Sequence, residues 1–299
     1  MPNVAPTPLI LRGQRFDASR PAVMGIVNRT PDSFYAPARH ADGDAAVVRA
    51  VQMVAEGVGI VDVGGVRAGQ EGDWVGTAEE IDRVRPVLVA LRERLPNLIL
   101  SLDTWRAEVA DACAGLVDLV NDTWQGADPA LLGVAAATGA GYVVSHTGGL
   151  PPRTDPVDVD YGPDDAVVED VLRVLRDGAA RAEAAGLPRE RILVDPTLDF
   201  GKTTLDSLAL VRHTARVVEL GYPVLQAISR KDFIGETLDL PIDERLEGTL
   251  AATAIAAWQG ATVFRAHDVR ATRRVLDMVA SIRGDRPPSL SLRGRRRAG

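Results

Sequence analysis

The chain has 299 residues, of which 46% are hydrophobic, 25% charged and only 4% aromatic, the balance of a soluble globular protein and not of a disordered or fibrous one. Its 34 basic and 41 acidic residues leave a net charge of −7, so a nucleic-acid partner has no global electrostatic support. No run reaches the roughly 18 apolar residues of a membrane span, and no membrane partner is expected.

Residues 1–20 carry prolines and no apolar run behind a basic start, so no secretory signal is expected there. This N-terminal segment is set apart from a domain over residues 21–282. Within that domain one alternation recurs: a short aliphatic run, a polar or Gly-rich turn, then a longer Ala/Arg/Glu/Leu stretch. The pattern predicts strands at Val23 to Val27, Ile60 to Val63, Leu98 to Leu102, Leu116 to Val120, Tyr142 to Val144, Ile192 to Val194, Val224 to Ala227 and Thr262 to Phe264. Helices are predicted at Gly43 to Glu56, Ala78 to Arg94, Asp164 to Ala185, Arg245 to Trp258 and Val269 to Ile282. Val47, Val51 and Val54, and again Val168, Val171, Leu172 and Leu175, have the spacing of a buried helical face. Eight βα units over about 260 residues match an α/β fold of the (β/α)8 TIM-barrel type in a single domain. An open doubly wound sheet would bring a Gly-rich first turn, G-x-G-x-x-G, which the chain lacks. Residues 283–299, with six arginines among Gly, Pro and Ser, read as a disordered basic tail. The single cysteine, Cys113, cannot form an internal disulfide, and that suits a reducing cytoplasm.

A barrel of this kind builds its active site at the C-terminal ends of its strands. There stand Asn28, Asp32, Asp62, Asp103, Asn121, Asp122, His146, Asp195, Arg230, Lys231, Arg265, His267 and Asp268. Some are expected to be helix caps, for which Asp and Asn are favoured. The remainder mixes acceptors with donors. A carboxylate beside an amide suits a heterocycle with adjacent ring NH and amino groups, while Arg265 and His267, alternating on one strand end, can hold an anion such as phosphate. Both of the chain's lysines, Lys202 and Lys231, fall in this set; its other 32 basic residues are arginines. One Cys and four dispersed His give no zinc spacing.

The runs Met24-Gly25-Ile26-Val27-Asn28-Arg29-Thr30-Pro31-Asp32-Ser33-Phe34, Leu102-Asp103-Thr104, Val120-Asn121-Asp122, Asp195-Pro196 with Phe200-Gly201-Lys202, Ser229-Arg230-Lys231, Arg245-Leu246-Glu247-Gly248-Thr249 and Arg265-Ala266-His267-Asp268-Val269 resemble the dihydropteroate synthase family. The likeness spans residues 21–282 in order. It implies a barrel, usually a homodimer, that joins p-aminobenzoate to 6-hydroxymethyl-7,8-dihydropterin diphosphate in folate synthesis. Carried over by position, Asp103, Asn121, Asp195 and Lys231 resemble the pterin-binding set. Asn28, Arg265 and His267, with Asp32, resemble the catalytic diphosphate side, and Asn28 an oxygen ligand of Mg2+. Phe200, Arg230 and Asp232 fall on the second-substrate side. Ionising the C–O bond would leave a pterin methylene cation and a diphosphate anion, which preorganised charge can stabilise.

Departures from the family cluster on the loops for the second substrate. The family's Glu-Ser-Thr-Arg-Pro-Gly run is here Val66-Arg67-Ala68-Gly69-Gln70-Glu71. Its Ser-Asp-Gly-Gly is Tyr35-Ala36-Pro37-Ala38, and Pro37 restricts a loop that must close. Asp-Pro-Gly-x-Gly-Phe-Gly-Lys has become Asp195-Pro196-Thr197-Leu198-Asp199-Phe200-Gly201-Lys202, without two glycines. The His-Met run after the fifth strand is His146-Thr147, and Asp232 stands where the family commonly has Ser. An anion there is expected to repel the p-aminobenzoate carboxylate by about 1 to 4 kcal/mol at about 4 Å. The expectation is a homologue that keeps the pterin or pterin-diphosphate pocket and is inactive or very weak as a synthase. The alternatives are an active synthase or another pterin-barrel activity, such as methyl transfer from a folate.

Overall fold

The computed structural model describes residues 7–28, 43–67, 69, 74–154, 156–157, 159–163, 165–291 and 293. A short hairpin, β1 (Leu9–Leu11) and β2 (Gln14–Phe16), comes first. Then β3 (Ala22–Asn28), α1 (Gly43–Glu56), β4 (Ile60–Gly64), α2 (Thr77–Arg94), β5 (Ile99–Asp103), α3 (Ala107–Ala112), β6 (Leu119–Asn121), α4 (Leu131–Thr138) and β7 (Gly141–Ser145) follow in alternation. The second half adds α5 (Ala166–Ala184), β8 (Ile192–Asp195), α6 (Thr204–Arg212), α7 (Thr214–Val218), β9 (Leu225–Gln226), α8 (Asp232–Leu238), α9 (Leu246–Trp258), β10 (Val263–Ala266) and α10 (Val269–Arg283).

Strands β3 to β10 form one parallel sheet in the order β8-β7-β6-β5-β4-β3-β10-β9. It closes through the parallel bridge Val194↔Val224, where Val194 N–H donates to Pro223 O at 2.9 Å. The fold is thus a (β/α)8 barrel, and all eight predicted strands are present. Their near-continuous aliphatic runs follow from burial on both faces, inside against the barrel interior and outside against the helices.

Register aligns the mouth. Asn28 pairs with Gly64, Gly64 with Asp103 and Asp103 with Asn121, so three polar side chains stand in one row around the C-terminal end. Asp62 lies two residues back from Gly64 and shares its face. The opposite end is stoppered by the hairpin: Leu9, Leu11 and Phe16 form one buried cluster with Met24, Ile60, Ile99, Leu119, Leu193 and Val263 from the strands. Its tight turn, Arg12 and Gly13, takes left-handed backbone at both positions, as a two-residue hairpin requires. Arg12 ties it to the barrel by donating to Asp118 Oδ1 at 3.0 Å and Pro96 O at 2.8 Å. Part of the segment expected to lie outside the domain therefore closes its floor.

The predicted face of α5 is buried at Val168, Val171, Leu172 and Leu175. That of α1 is turned: Ala46, Val47, Ala50 and Met53 are buried, while Val51 and Val54 are 40% and 42% exposed. Close approach of the helix to β3 explains the shift, since a Cβ at Gly25 would lie 2.8 Å from Met53 Sδ. The face in contact with the barrel is therefore Ala46, Val47, Ala50 and Met53, rotated from the predicted one. At the C-terminus, Arg283 donates to Ala257 O and Trp258 O, and Arg286 to Asp277, so the first turn of the expected tail is docked; residues 292 and 294–299 lie outside the described residues.

Candidate functional site

At the mouth, Asp62, Asp103, Asn121 and Arg265 form one network. Arg265 donates from Nε to Asp62 Oδ2 at 2.7 Å and from Nη2 to Asp103 Oδ2 at 2.7 Å. Asn121 Nδ2 donates to Asp62 Oδ2 at 3.1 Å, and Thr123 Oγ1 to Asp103 Oδ1 at 3.3 Å. Two carboxylates thus share one guanidinium. Burial raises the Asp103 pKa to about 7; Arg265 opposes the rise and Asp62 adds to it. Two buried acceptors, Asp62 Oδ1 and Asn121 Oδ1, have no hydrogen-bond partner among the described residues. A buried orphan acceptor is costly, and an N–H or O–H donor, from a ligand or an ordered water, would satisfy each. Asp62 was legible only as one polar residue among many at strand ends, and no role attached to it until the network assembled.

Above this network lies a cleft of about 160 Å³. Asn28, Asp103, Phe200, Arg230, Lys231, Asp232, Arg265 and His267, eight of the eleven residues singled out by resemblance, line it. Asn121 and Asp195 stand beneath, on adjoining strands. Asp195 accepts the Thr197 N–H at 2.7 Å; burial raises its pKa, and Lys231, Lys202 and Arg265 oppose the rise. His267 Nδ1 accepts the Ser229 hydroxyl at 2.9 Å, while Ser229 Oγ accepts the His267 backbone N–H at 3.2 Å. Burial, with Arg265 and Arg230 nearby, pushes the His267 pKa down to about 3. The ring is therefore held neutral near pH 7. Asp32 and the first loop from Arg29 to Asp42 lie outside the described residues.

The second half of the cleft is held by three linked turns. Lys202, buried, donates to His146 O, Thr197 O and Phe200 O at 2.8, 2.9 and 2.8 Å. An ammonium with three rotatable donors suits three carbonyls in a way a planar guanidinium does not. Thr197 and Asp199, at φ +52 and +71, keep left-handed backbone where the family's glycines would be comfortable. Such backbone costs a non-glycine residue about 1 kcal/mol or more. Thr197 Oγ1 donates to Asp195 O at 3.0 Å and accepts the His146 N–H at 3.2 Å. The Asp199 carboxylate accepts the Ser207 hydroxyl at 3.1 Å and the Asp232 N–H at 2.7 Å, and burial raises its pKa against the pull of Lys231.

Lys231 sits 4.4 Å over the Phe200 ring and donates to Leu198 O. Arg230 is turned into the protein, donating to Asp268 Oδ2 at 3.0 Å and to Ile242 O and Asp243 O at 2.8 and 2.9 Å. The bare anion expected at Asp232 is corrected here: Arg245 donates to its Oδ1 at 2.6 Å, and the side chain is 55% exposed. Pairing and solvent together take most of the force out of the expected repulsion. Trp105 and Trp124 complete the wall; neither was singled out from sequence. On the rim, Arg106 stacks on Trp105 and Trp74 at 4.5 and 5.6 Å and donates to Val75 O at 2.8 Å, fixing one end of the altered loop. Of that loop, Val66, Arg67 and Gly69 are described, and Arg153 Nε donates to Gly69 O at 3.3 Å.

Three strand-end residues are structural. Asp122 accepts the Trp124 and Gly126 N–H groups and the Tyr142 hydroxyl. His146 faces α5, with Nε2 2.9 Å from Asp170, and burial with Lys202 nearby lowers its pKa to about 4. Asp268 pairs with Arg230.

A family model described as pterin binding enzyme matches residues 24–267. Among curated relatives, the inactive dihydropteroate synthase 2 of Mycobacterium leprae is 53% identical over 287 residues, covering 95% of this chain and 98% of that one. The dihydropteroate synthase of Haemophilus influenzae is 35% identical over 261 residues, covering 87% and 93%. Among solved structures, a dihydropteroate synthase of Coxiella burnetii in complex with pteroic acid is similar at a TM-score of 0.82 and 32% identity, covering 92% of this chain and 98% of that one.

Proposed function

The chain belongs to the pterin-binding enzyme family, and from that footing we propose that it binds a pterin or pterin diphosphate without carrying out the synthase condensation at an ordinary rate. The observation that carries this reading is the contrast between the halves of one cleft. The Asp62–Arg265–Asp103–Asn121 floor presents orphan acceptors suited to pterin N–H groups. The facing wall has a carboxylate, Asp199, at a turn built for glycine.

In this reading Asp103, Asn121 and Asp195 take the ring and amino N–H groups, and Lys231 the carbonyl side. Arg265 and His267 take the diphosphate. Mg2+ fits as a companion of the substrate and not as a resident ion. Among the described residues no group of three His, Cys, Asp or Glu could hold a metal, so Asn28 Oδ1 would share the ion with phosphate oxygens, its preferred ligands. When bound, it would neutralise charge on the diphosphate.

The second reading, an active synthase, is favoured by one observation: Arg245 neutralises Asp232, and Phe200 and Lys231 still line the cleft. One experiment separates the two. Purified protein is expected to be protected against thermal unfolding by the pterin diphosphate, with no dihydropteroate formed when p-aminobenzoate is added. Product at ordinary rates, together with rescue of a cell lacking its own synthase, would establish the second reading.

A homodimer fits the outer surface. Ile255 and Trp258 of α9, and Met278 and Ile282 of α10, are more than half exposed on helices that pack on each other, and a second copy would cover this apolar face. We place the protein in the cytoplasm: Cys113 is free and buried, and no helix among the described residues is long and apolar enough to cross a membrane.

A further inference from the structure

We infer that this cleft uses water as its second reactant, hydrolysing a pterin-methyl diphosphate, with the Asp199 carboxylate as the general base that orients and deprotonates the water. The inference rests on the reading of the floor as a pterin-diphosphate pocket.

Asp199 is where the argument starts. Backbone strain at a functional cleft points to a side chain whose position matters. Among the described residues seven non-glycine residues have left-handed φ, and five of them, Gln125, Arg153, Thr197, Asp199 and Arg230, sit in loops that follow barrel strands. Of these, only Asp199 brings a carboxylate. The turn tolerates the cost because the carboxylate is fixed from outside by Ser207 Oγ and the Asp232 N–H. Each oxygen accepts one of these bonds and has a further lone pair, and Asp199 lines the cleft beside Phe200 and Lys231.

The chemistry of that group selects its partner. A carboxylate on the wall disfavours an anionic aromatic acid and favours a neutral O–H donor. Trp105, Trp124 and Phe200 wall the space, which limits it to few waters and makes each one's orientation count.

The step balances without a redox partner. The C–O bond between the pterin methylene and the diphosphate breaks, and its electron pair leaves on the diphosphate oxygen, met by Arg265 and His267. A water oxygen forms the new C–O bond. Its proton passes to Asp199 and then to solvent. The products are the hydroxymethyl pterin and diphosphate.

The test uses the full chain with 6-hydroxymethyl-7,8-dihydropterin diphosphate in Mg2+ buffer made with 18O-labelled water and no p-aminobenzoate. Expected are diphosphate release above the protein-free rate and label in the hydroxymethyl oxygen. Asp199→Asn should slow release by about 100-fold, the low end of general-base catalysis, with the thermal shift by the substrate retained. Asp199→Gly, which relieves the backbone but gives up the bonds to Ser207 and the Asp232 N–H, should lose the same activity while remaining folded. If the substrate stabilises the protein but no diphosphate appears, this inference fails and the binding reading stands. If it does not stabilise the protein, both fail. Label in the diphosphate, or Asp199→Asn hydrolysing at the parental rate, overturns the assigned mechanism.

Discussion

Pterin binding should be switched by the protonation of Asp103. Burial raises this carboxyl to about 7 in the free protein, and a carboxylate that accepts N–H groups must be ionised to do so. With a pKa of about 7, the ionised fraction falls from about nine-tenths at pH 8 to about one-hundredth at pH 5, an affinity loss approaching 100-fold, or about 2.7 kcal/mol. The stability of the free protein should move in the opposite sense. The unfolded carboxyl ionises near about pH 4, so from about pH 4 to about pH 7 the native state holds the extra proton, and stability falls as pH rises through that window. Calorimetric titration with 6-hydroxymethylpterin across this range, on the parent and on Asp103→Asn, gives the measurement. The variant should bind weakly with a flat profile, which separates titration of the protein from titration of the ligand. An affinity for the parent that changes by less than about threefold between pH 5 and pH 8 would refute the assignment of Asp103 as the acceptor, as would a variant that keeps the parental pH dependence.

Lys202→Met should cost about 2–3 kcal/mol in urea unfolding, the upper range for leaving buried acceptors without a donor, because His146 O, Thr197 O and Phe200 O lose one shared donor; a loss under about 0.5 kcal/mol would remove its structural role. Phe16→Ala, at a side chain 3% exposed in the floor cluster, should cost about 3–5 kcal/mol and leave the cleft residues in place, so that ligand-induced thermal shifts persist; unchanged stability would mean that the hairpin does not stopper the barrel. Combining Asp199→Gly with Asp232→Ser should let p-aminobenzoate add protection on top of the pterin diphosphate. No added protection would place the deficit in the altered loops instead.

The strands were legible because each is buried on two faces and so reads as an unbroken aliphatic run, and the mouth followed once the strands were placed. What escaped was set by partners distant in sequence. β1 and β2 have three residues each, too few for any period to register, and their value comes from contacts with strands throughout the barrel. The exposed valines of α1 show that spacing gives a face only to within a position. Asp232 was misjudged because the group that neutralises it, Arg245, lies one helix later. At positions 197 and 199 the missing glycines suggested a reshaped turn, yet the backbone keeps left-handed φ. Residue identity alone does not report a strained conformation that Lys202, Ser207 and the Asp232 N–H jointly hold.

Retention of the pterin set has two physical explanations, and they make different demands on individual atoms. Removing Arg265 would leave Asp62 and Asp103 as uncompensated buried charges, at about 3–5 kcal/mol, so folding alone resists loss of this network once it exists. On that ground the match to the family at Asp103 and Arg265 says little about ligands. The orphan oxygens are different. Asp62 Oδ1 and Asn121 Oδ1 lower stability by staying buried without a donor, and a network kept only for folding would gain by replacing either with an apolar or self-satisfied side chain. A bound donor, whether a ligand N–H or an ordered water, would recover that cost. The left-handed backbone at Thr197 and Asp199 also has a cost, but there the side chains bond within the fold, Thr197 to Asp195 O and the His146 N–H and Asp199 to Ser207 and the Asp232 N–H, so folding recovers part of it. The floor is thus the half of the cleft whose cost folding leaves over, and a donor-rich heterocycle is a partner that its orphan acceptors suit.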